Sequence, residues 1–343
     1  MTHESPARRR APYILLTLVA LALASAPPCR AQAADSSQSL NTLMQHRREI
    51  SNRAVEETQR RRFEDGKSDT IFPSDANKAG ARTGVVRAVS PEERKALAHN
   101  ERGLEHFANG KIEQAIKEYN EAIRANPNLA AAHNNLGSAH FAAARFEEAA
   151  ASFRRAVELD PNYGQAHFNL ALANLKLGRE READAALQAA LRAYYTTGDE
   201  HFKAGRLKEA EESYRGMLQI DPEYVPALLR LGLVCNDTHR FEEATGHLRR
   251  AAARQPDNPF AHEGLAEALY GLNRYEEAAA SADRALKLSP DSPGAHYFAG
   301  LARASLGQRD AALAHLARLR QLDAPAYAKL LSDFIDKKPP ARQ

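Results

Sequence analysis

The sequence predicts an all-α fold, a solenoid of about seven helix-turn-helix repeats with a C-terminal capping helix. Two observations carry that expectation. Prolines recur at a fixed interval: Pro127 and Pro161 lie 34 residues apart, and Pro222, Pro256 and Pro290 are again 34 apart. Segments aligned on them are alanine-rich and alike, as in AHNNLGSAHFAAARFEEAAASFRRAVELDPN from Ala132 and AHEGLAEALYGLNRYEEAAASADRALKLSPD from Ala261. Such a period marks stacked supersecondary units rather than one layered core. Composition agrees by exclusion. With 27% charged residues, 17 Pro, no Trp and two Cys in 343 residues, the chain is not collagen-like, disulfide-knotted or a multi-span membrane protein.

Residues 1–33 read as an export signal. Arg8-Arg9-Arg10 precedes an apolar run from Tyr13 to Ala24. At 1.5 Å per residue that run reaches about 18 Å, short of a roughly 30 Å hydrocarbon layer. Pro27-Pro28 ends any helix, and Ala31-Gln32-Ala33 offers the small residues of a cleavage site before Ala34. The mature chain is therefore expected to be exported, to a bacterial periplasm or secreted, with no membrane span after cleavage. Removing four basic residues (Arg8, Arg9, Arg10, Arg30) and one acid (Glu4) leaves 43 of each sign, so no nucleic-acid partner is expected. Residues 34–89 form an N-terminal arm and linker. Ser39 to Phe63 reads either as a charged helix with a thin apolar edge or as a disordered arm, and it could fold back onto the repeats.

The array is expected over 90–325. Ser90-Pro91-Glu92-Glu93 supplies an N-cap, a first-position proline and acids in the first turn. Repeats then start near 96, 130, 164, 191, 225, 259 and 293. Repeat position 8 holds Gly103, Gly137, Ala171, Gly198, Gly232, Ala266 and Gly300. Position 20 is Ala in all seven, from Ala115 to Ala312, and position 27 is Ala in five, with Met217 and Leu319 in the others. This pattern resembles the tetratricopeptide repeat (TPR) family, which keeps small residues at 8, 20 and 27 and Pro at 32. The resemblance covers about 96–325. It implies a right-handed α-solenoid in which helix A meets helix B of its own repeat where neither side chain is bulky.

One departure is informative. Pro161 and Pro222 are 61 residues apart, two repeats less seven, and seven residues are almost two helical turns. Deleting them keeps the apolar face and predicts one long helix over about 179–204, bent if anywhere at Thr196-Thr197-Gly198. The competing reading is two helices with a frayed turn at Tyr195–Gly198. After Pro325, the spacing of Tyr327, Leu330, Leu331, Phe334 and Ile335 predicts a capping helix within 326–343.

Little in the sequence suggests chemistry. His99, His133, His167, His262 and His296 all fall at position 4, too far apart in stacked repeats to share a metal, and are expected to be packing residues. No metalloprotease helix, nucleophile elbow or phosphate loop is present. Cys235 reads as an inert buried thiol, and the pairs Glu147-Glu148, Glu242-Glu243 and Glu276-Glu277 as a solvated first turn. The expectation is a non-enzyme with no catalytic residue, no metal ligand and no cofactor.

What remains is the face that the family presents on helix A, through positions 2, 5, 9 and 12. Here those are Leu97, Asn100, Leu104 and Phe107, then Asn134 and Phe141, then Phe168, Leu172 and Leu175. Later repeats add Tyr195, Phe202, Leu229, Leu233, Tyr270 and Tyr297. Aromatic anchors with an occasional Asn suit an extended peptide or an amphipathic helix of a protein partner. The competing reading is that position 12 packs against a neighbouring repeat. The carboxylate clamp of the Hsp70/Hsp90 co-chaperones is absent, Asn100, Leu104, Phe168 and Leu172 standing at its places. The asparagine ladder of O-linked GlcNAc transferase repeats is matched only by Asn135 and Asn169, then interrupted by Thr196 and Arg230. The resulting expectation is a non-catalytic protein–protein interaction scaffold in a bacterial envelope or secretion assembly. A second reading is an accessory or ligand-binding subunit of an envelope polysaccharide system, against which the Phe/Leu-rich face counts.

Overall fold

A computed structural model describes residues 90–337, so the expected export signal over 1–33, the expected arm over 34–89 and the last six residues lie outside the described part. Fourteen α-helices and no strand occur among the described residues. They fall into two compact units, divided after Ala193. The first holds α1 (Pro91–Ala108), α2 (Ile112–Ala125), α3 (Ala130–Ala142), α4 (Phe146–Leu159), α5 (Gly164–Lys176) and the start of α6 (Glu180–Lys203). The second holds the end of α6, then α7 (Leu207–Ile220), α8 (Val225–Asp237), α9 (Phe241–Arg254), α10 (Pro259–Gly271) and α11 (Tyr275–Leu288). It closes with α12 (Pro293–Ser305), α13 (Arg309–Gln321) and α14 (Pro325–Lys337). No described helix is long and apolar enough to cross a membrane.

The repeat frame explains the helices. Ser90 caps α1, its side chain accepting from the Glu93 amide at 3.1 Å, ahead of Pro91 and two acids. Helices B such as α4 and α9 carry one apolar stripe, whereas α3 and α10 are apolar around much of their circumference, because a helix A is covered on both sides. Between A and B the chain turns in the left-handed region at position 15 of every repeat. Gly110, Ala144, Gly178, Gly205, His239, Asn273 and Gly307 all have φ between 57° and 78°. Four glycines fill that position without steric cost; Ala144 does not.

The close approach at position 8 differs from expectation. A Cβ on Gly103 would lie 2.6 Å or less from two ring atoms of Tyr119, one on Gly137 2.7 Å from Phe153, and one on Gly198 2.6 Å from Tyr214. Those rings, and Leu248 beneath Gly232, occupy position 24 of the same repeat and are almost completely buried. The glycine is thus small because its partner is large. Leu248 also touches the place a Cβ on Gly264 would take, at 3.1 Å, so it sits between glycines of two successive repeats.

A single 24-residue helix, α6, fills Glu180–Lys203, with no break at Tyr195–Gly198. The lost seven residues removed the inter-repeat turn and left the helical face in phase. At the other end α14 buries Tyr327, Leu331 and Ile335 against Leu301, Leu316 and Leu319, and Arg309 donates to the Ile335 carbonyl at 2.7 Å. Leu330 departs from the expected stripe: it is 51% exposed.

The position-4 histidines are more than packing residues. Nε2 of His133, His167, His262 and His296 donates to the carbonyl of the proline six residues earlier, at 2.8–3.0 Å. That proline ends the preceding repeat, so each bond fastens one repeat to the next turn. In the fifth repeat position 4 is Leu228, and Arg250 of α9 takes the Pro222 carbonyl instead. No described repeat precedes His99, which pairs with Glu118 at 2.8 Å. The Glu118 carboxyl is held below its ordinary range by the His99 bond and the Arg102 guanidinium, against its burial.

Candidate functional site

Within each unit successive helices A touch: α1, α3 and α5 in the first, and α8, α10 and α12 with α14 in the second. The face those helices share within each unit is the candidate site, and in the first unit it is knitted by side-chain amides. Gln165 donates to Asn169 at 2.9 Å, Asn169 to Asn134 at 3.0 Å, and Asn135 to Asn100 at 2.9 Å. Asn134 also reaches Asn135 at 3.4 Å, completing the chain. Asn100 and Asn134 are 8% and 5% exposed, so these two expected ligand contacts are engaged between repeats. Phe168, at 5% exposure, is likewise a packing residue.

The amide pairs obey a rule the sequence reading missed: a donor at position 6 bonds position 5 of the preceding repeat, 35 residues earlier. Arg230, which seemed to interrupt a ladder, follows it too. Its Nη2 donates to the Tyr195 hydroxyl at 2.7 Å, with the guanidinium carbon 5.3 Å from that ring's centroid. Asp199 accepts from Arg230 and, at 3.1 Å, from the Tyr214 hydroxyl, whose titration burial pushes up. Tyr195 is therefore tied into a satisfied cluster.

Aromatics at position 12 are half-buried. Phe107 packs on Ala115, Tyr119, Leu136 and Ala139, and Phe141 meets Phe146 edge-on at 5.2 Å. Phe202, Leu172 and Leu175 are half-buried as well. Open surface lies elsewhere on these helices A: in the first unit Leu97 is 40% exposed and Leu104 44%, and in the second Phe260 is 56% exposed.

Phe260 begins a stretch the sequence reading passed over. Phe260, Glu263, Glu267 and Tyr270 occupy positions 2, 5, 9 and 12 of α10, one helical face. Ser292 donates to Glu263 Oε2 at 2.6 Å, and Glu263 Oε1 lies over Gly294, where a Cβ would displace it. Asn236 donates to Glu267 Oε2 at 3.1 Å. Burial pushes the Glu267 carboxyl up to about 7, reinforced by Asp237 and Glu263; burial also raises Glu263 and Asp237. Tyr297 and Tyr327, rings 5.2 Å apart, stand beside them, and burial pushes Tyr327 up to about 12. Of this neighbourhood the sequence reading named only Tyr270 and Tyr297 as site residues, and Tyr327 as part of the capping stripe. The register that selected them also held Glu263 and Glu267, but glutamates on a helix read by default as solvated.

One trio of candidate metal ligands occurs among the described residues, Glu211, Cys235 and Glu243. Its carboxylates are ion-paired: Arg240 bridges Glu211 at 2.8 and 2.9 Å and also reaches Glu243, and Arg215 pairs with Glu211. Burial pushes the Cys235 thiol up to about 11, holding it protonated. The trio is part of an arginine-linked network.

Tetratricopeptide repeat family models match residues 100–164, 139–194, 237–293 and 263–327, and a related model matches 201–262. A comparison with curated proteins returned no significant match. Among solved structures, the second TPR of Spaghetti (RPAP3) bound to an HSP90 peptide is similar, with 29% identity and TM-score 0.29 over 29% of this chain and 93% of that one. The Pseudomonas aeruginosa PilF structure gives 16% identity and TM-score 0.35, over 71% and 99% of the two chains. The TPR2AB domain of yeast Sti1, in complex with HSP90, gives 20% and 0.32, over 71% and 98%.

Proposed function

Because the chain belongs to the tetratricopeptide repeat family, we propose that it is a non-catalytic protein-interaction scaffold whose helix-A face holds a segment of a partner protein. One observation carries the reading. Of the five large apolar side chains exposed among the described residues, the three on helices A (Leu97, Leu104 and Phe260) all fall at positions 2 or 9. Scattered exposed leucines need no explanation, but three of five sharing one register of the helices A do. The other two, Leu313 and Leu330, lie on α13 and α14. The leader-like residues 1–33 support placing the scaffold in a bacterial envelope or secretion assembly.

The test is photo-crosslinking of the full chain in its own cells, with a reactive side chain at Leu104 or Phe260 and a control at Arg284, exposed on a helix B. A discrete protein captured from either groove position and not from Arg284 is the expected result. Indistinguishable products from all three positions would overturn the assignment of the face. A capture confined to cytosolic proteins would overturn the envelope placement alone.

A further inference from the structure

The most unusual chemistry in the described residues is negative charge without a counterion. Glu263 and Glu267, both half-buried, have no ion pair with any described residue, in a protein where most other sheltered carboxylates have one, and Asp237, exposed at the end of α8, adds a third acid beside them. Glu211 has Arg240 and Arg215, Asp199 has Arg230, Asp283 has Arg303, and Glu118 has Arg102. Around Glu267 the neighbouring charges are themselves acidic. Like charges left together in a sheltered place destabilise the fold, which a chain tolerates where a ligand supplies the missing sign.

Three further observations point to a ligand and to its class. Asn236 is 2% exposed and its amide bonds Glu267, yet its Oδ1 has no partner. Phe260, one turn before Glu263 on the same face, is 56% exposed, so an apolar contact adjoins the acids. Tyr297, half-buried against the buried Tyr327 ring, supplies an aromatic neighbour beside the carboxylates. A single metal ion fits poorly: the three acids do not bring donor atoms within 4.8 Å of one another, as the arginine-linked trio does. The spread of acids, rings and one exposed Phe suits a long flexible cation with an apolar neighbour.

We infer that the α10 face, with Asp237 at the end of α8 and the two tyrosines, receives a lysine or arginine side chain of the partner segment, with Phe260 contacting an apolar residue beside it. This rests on the scaffold reading and specifies the partner: a basic segment acting in trans. The polarity is opposite to that of a groove that clamps a carboxylate.

The experiment is panning of a random dodecapeptide phage library on the full chain, and on a Glu263→Gln, Glu267→Gln double variant. The expected result is enrichment of peptides with Lys or Arg at a fixed distance from an apolar residue, absent on the double variant. Fluorescence anisotropy with the best synthetic peptide should show at least a tenfold loss of affinity on the double variant. The unliganded variant should melt no lower than wild type, because neutral amides remove a repulsion; a merely structural role would lower it. Enriched peptides without basic bias, bound equally by the variant, would overturn the inference and leave the scaffold reading standing. Failure to enrich any peptide would count against both. Peptides matching the chain's own Arg47–Arg62 stretch would make the contact intramolecular and overturn a partner in trans.

Discussion

Two half-buried groups in the second unit pull its pH dependence in opposite directions, and a single substitution should expose the balance. His315 on α13 faces His296, Nδ1 to Nδ1 at 3.0 Å, and His296 is fixed as an acceptor there because its Nε2 donates to Pro290. Burial, with Arg303 and His296 nearby, lowers His315 from 6.5 to about 4. The unfolded chain then binds the proton more readily, so this contribution to stability is complete above 6.5 and falls as pH drops toward 4. Glu267 behaves in reverse. Its carboxyl rises from 4.5 to about 7, so the folded state binds the proton more readily, and stability falls as pH rises from 4.5 through 7. Between pH 7.5 and 5, linkage gives a loss of about 2 kcal/mol from His315 and a gain of about 2 kcal/mol from Glu267, which nearly cancel. Glu267→Gln removes the compensating group. Urea unfolding followed by circular dichroism at pH 7.5 and 5 should show the variant losing about 2 kcal/mol more than wild type on acidification, and His315→Gln changing in the opposite sense. Parallel pH profiles for wild type and Glu267→Gln would refute the reasoning.

Three further outcomes are expected. Gly232→Ala drives a methyl to 2.5 Å from Leu248 Cγ and should destabilise by about 1–2 kcal/mol net of helix propensity, whereas Gly246→Ala, with nothing within 4 Å, should stabilise by about 0.8 kcal/mol; thermal midpoints moving the same way would contradict this. Ala144→Gly relieves a left-handed alanine at φ 57° and should raise the midpoint, by about 1 kcal/mol, where the same change at Ala143 should lower it. His167→Leu leaves the Pro161 carbonyl without its Nε2 donor and should cost about 1 kcal/mol, read as faster amide exchange in the turn before α5; unchanged exchange would make the histidine mere filler.

What could be read from the sequence was whatever the repeat enforces many times over. The proline period, the alanines at position 20 and the Ser90 cap each follow from a backbone requirement, and even the loss of seven residues was readable, because helical phase is arithmetic. Leu97 and Leu104 were placed on open surface for the same reason. Partner identity across the helix contact was harder to read. Gly103 looked like one small residue among small residues, when its position is dictated by Tyr119 sixteen residues later. Asn100 and Asn134 were named as ligand contacts because their own neighbours were counted along one helix, while their bonds run to the next repeat. Glu263 and Glu267 were missed because a carboxylate's meaning depends on which cations surround it, and that is a property of the fold.

The proline–histidine bond also bears on how such a chain can be recombined. It joins position 32 of one repeat to position 4 of the next, so the two halves of each fastener lie on opposite sides of the conventional repeat boundary. A crossover or graft cut at that boundary would join a histidine to whatever carbonyl the neighbour happens to present. A cut inside helix B would carry the pair intact. Two repeats are exceptions: the fourth is joined through the continuous α6 and has no such pair, and in the fifth Arg250 serves Pro222 from its own second helix. The natural unit of exchange in this protein therefore begins midway through one repeat and ends midway through the next.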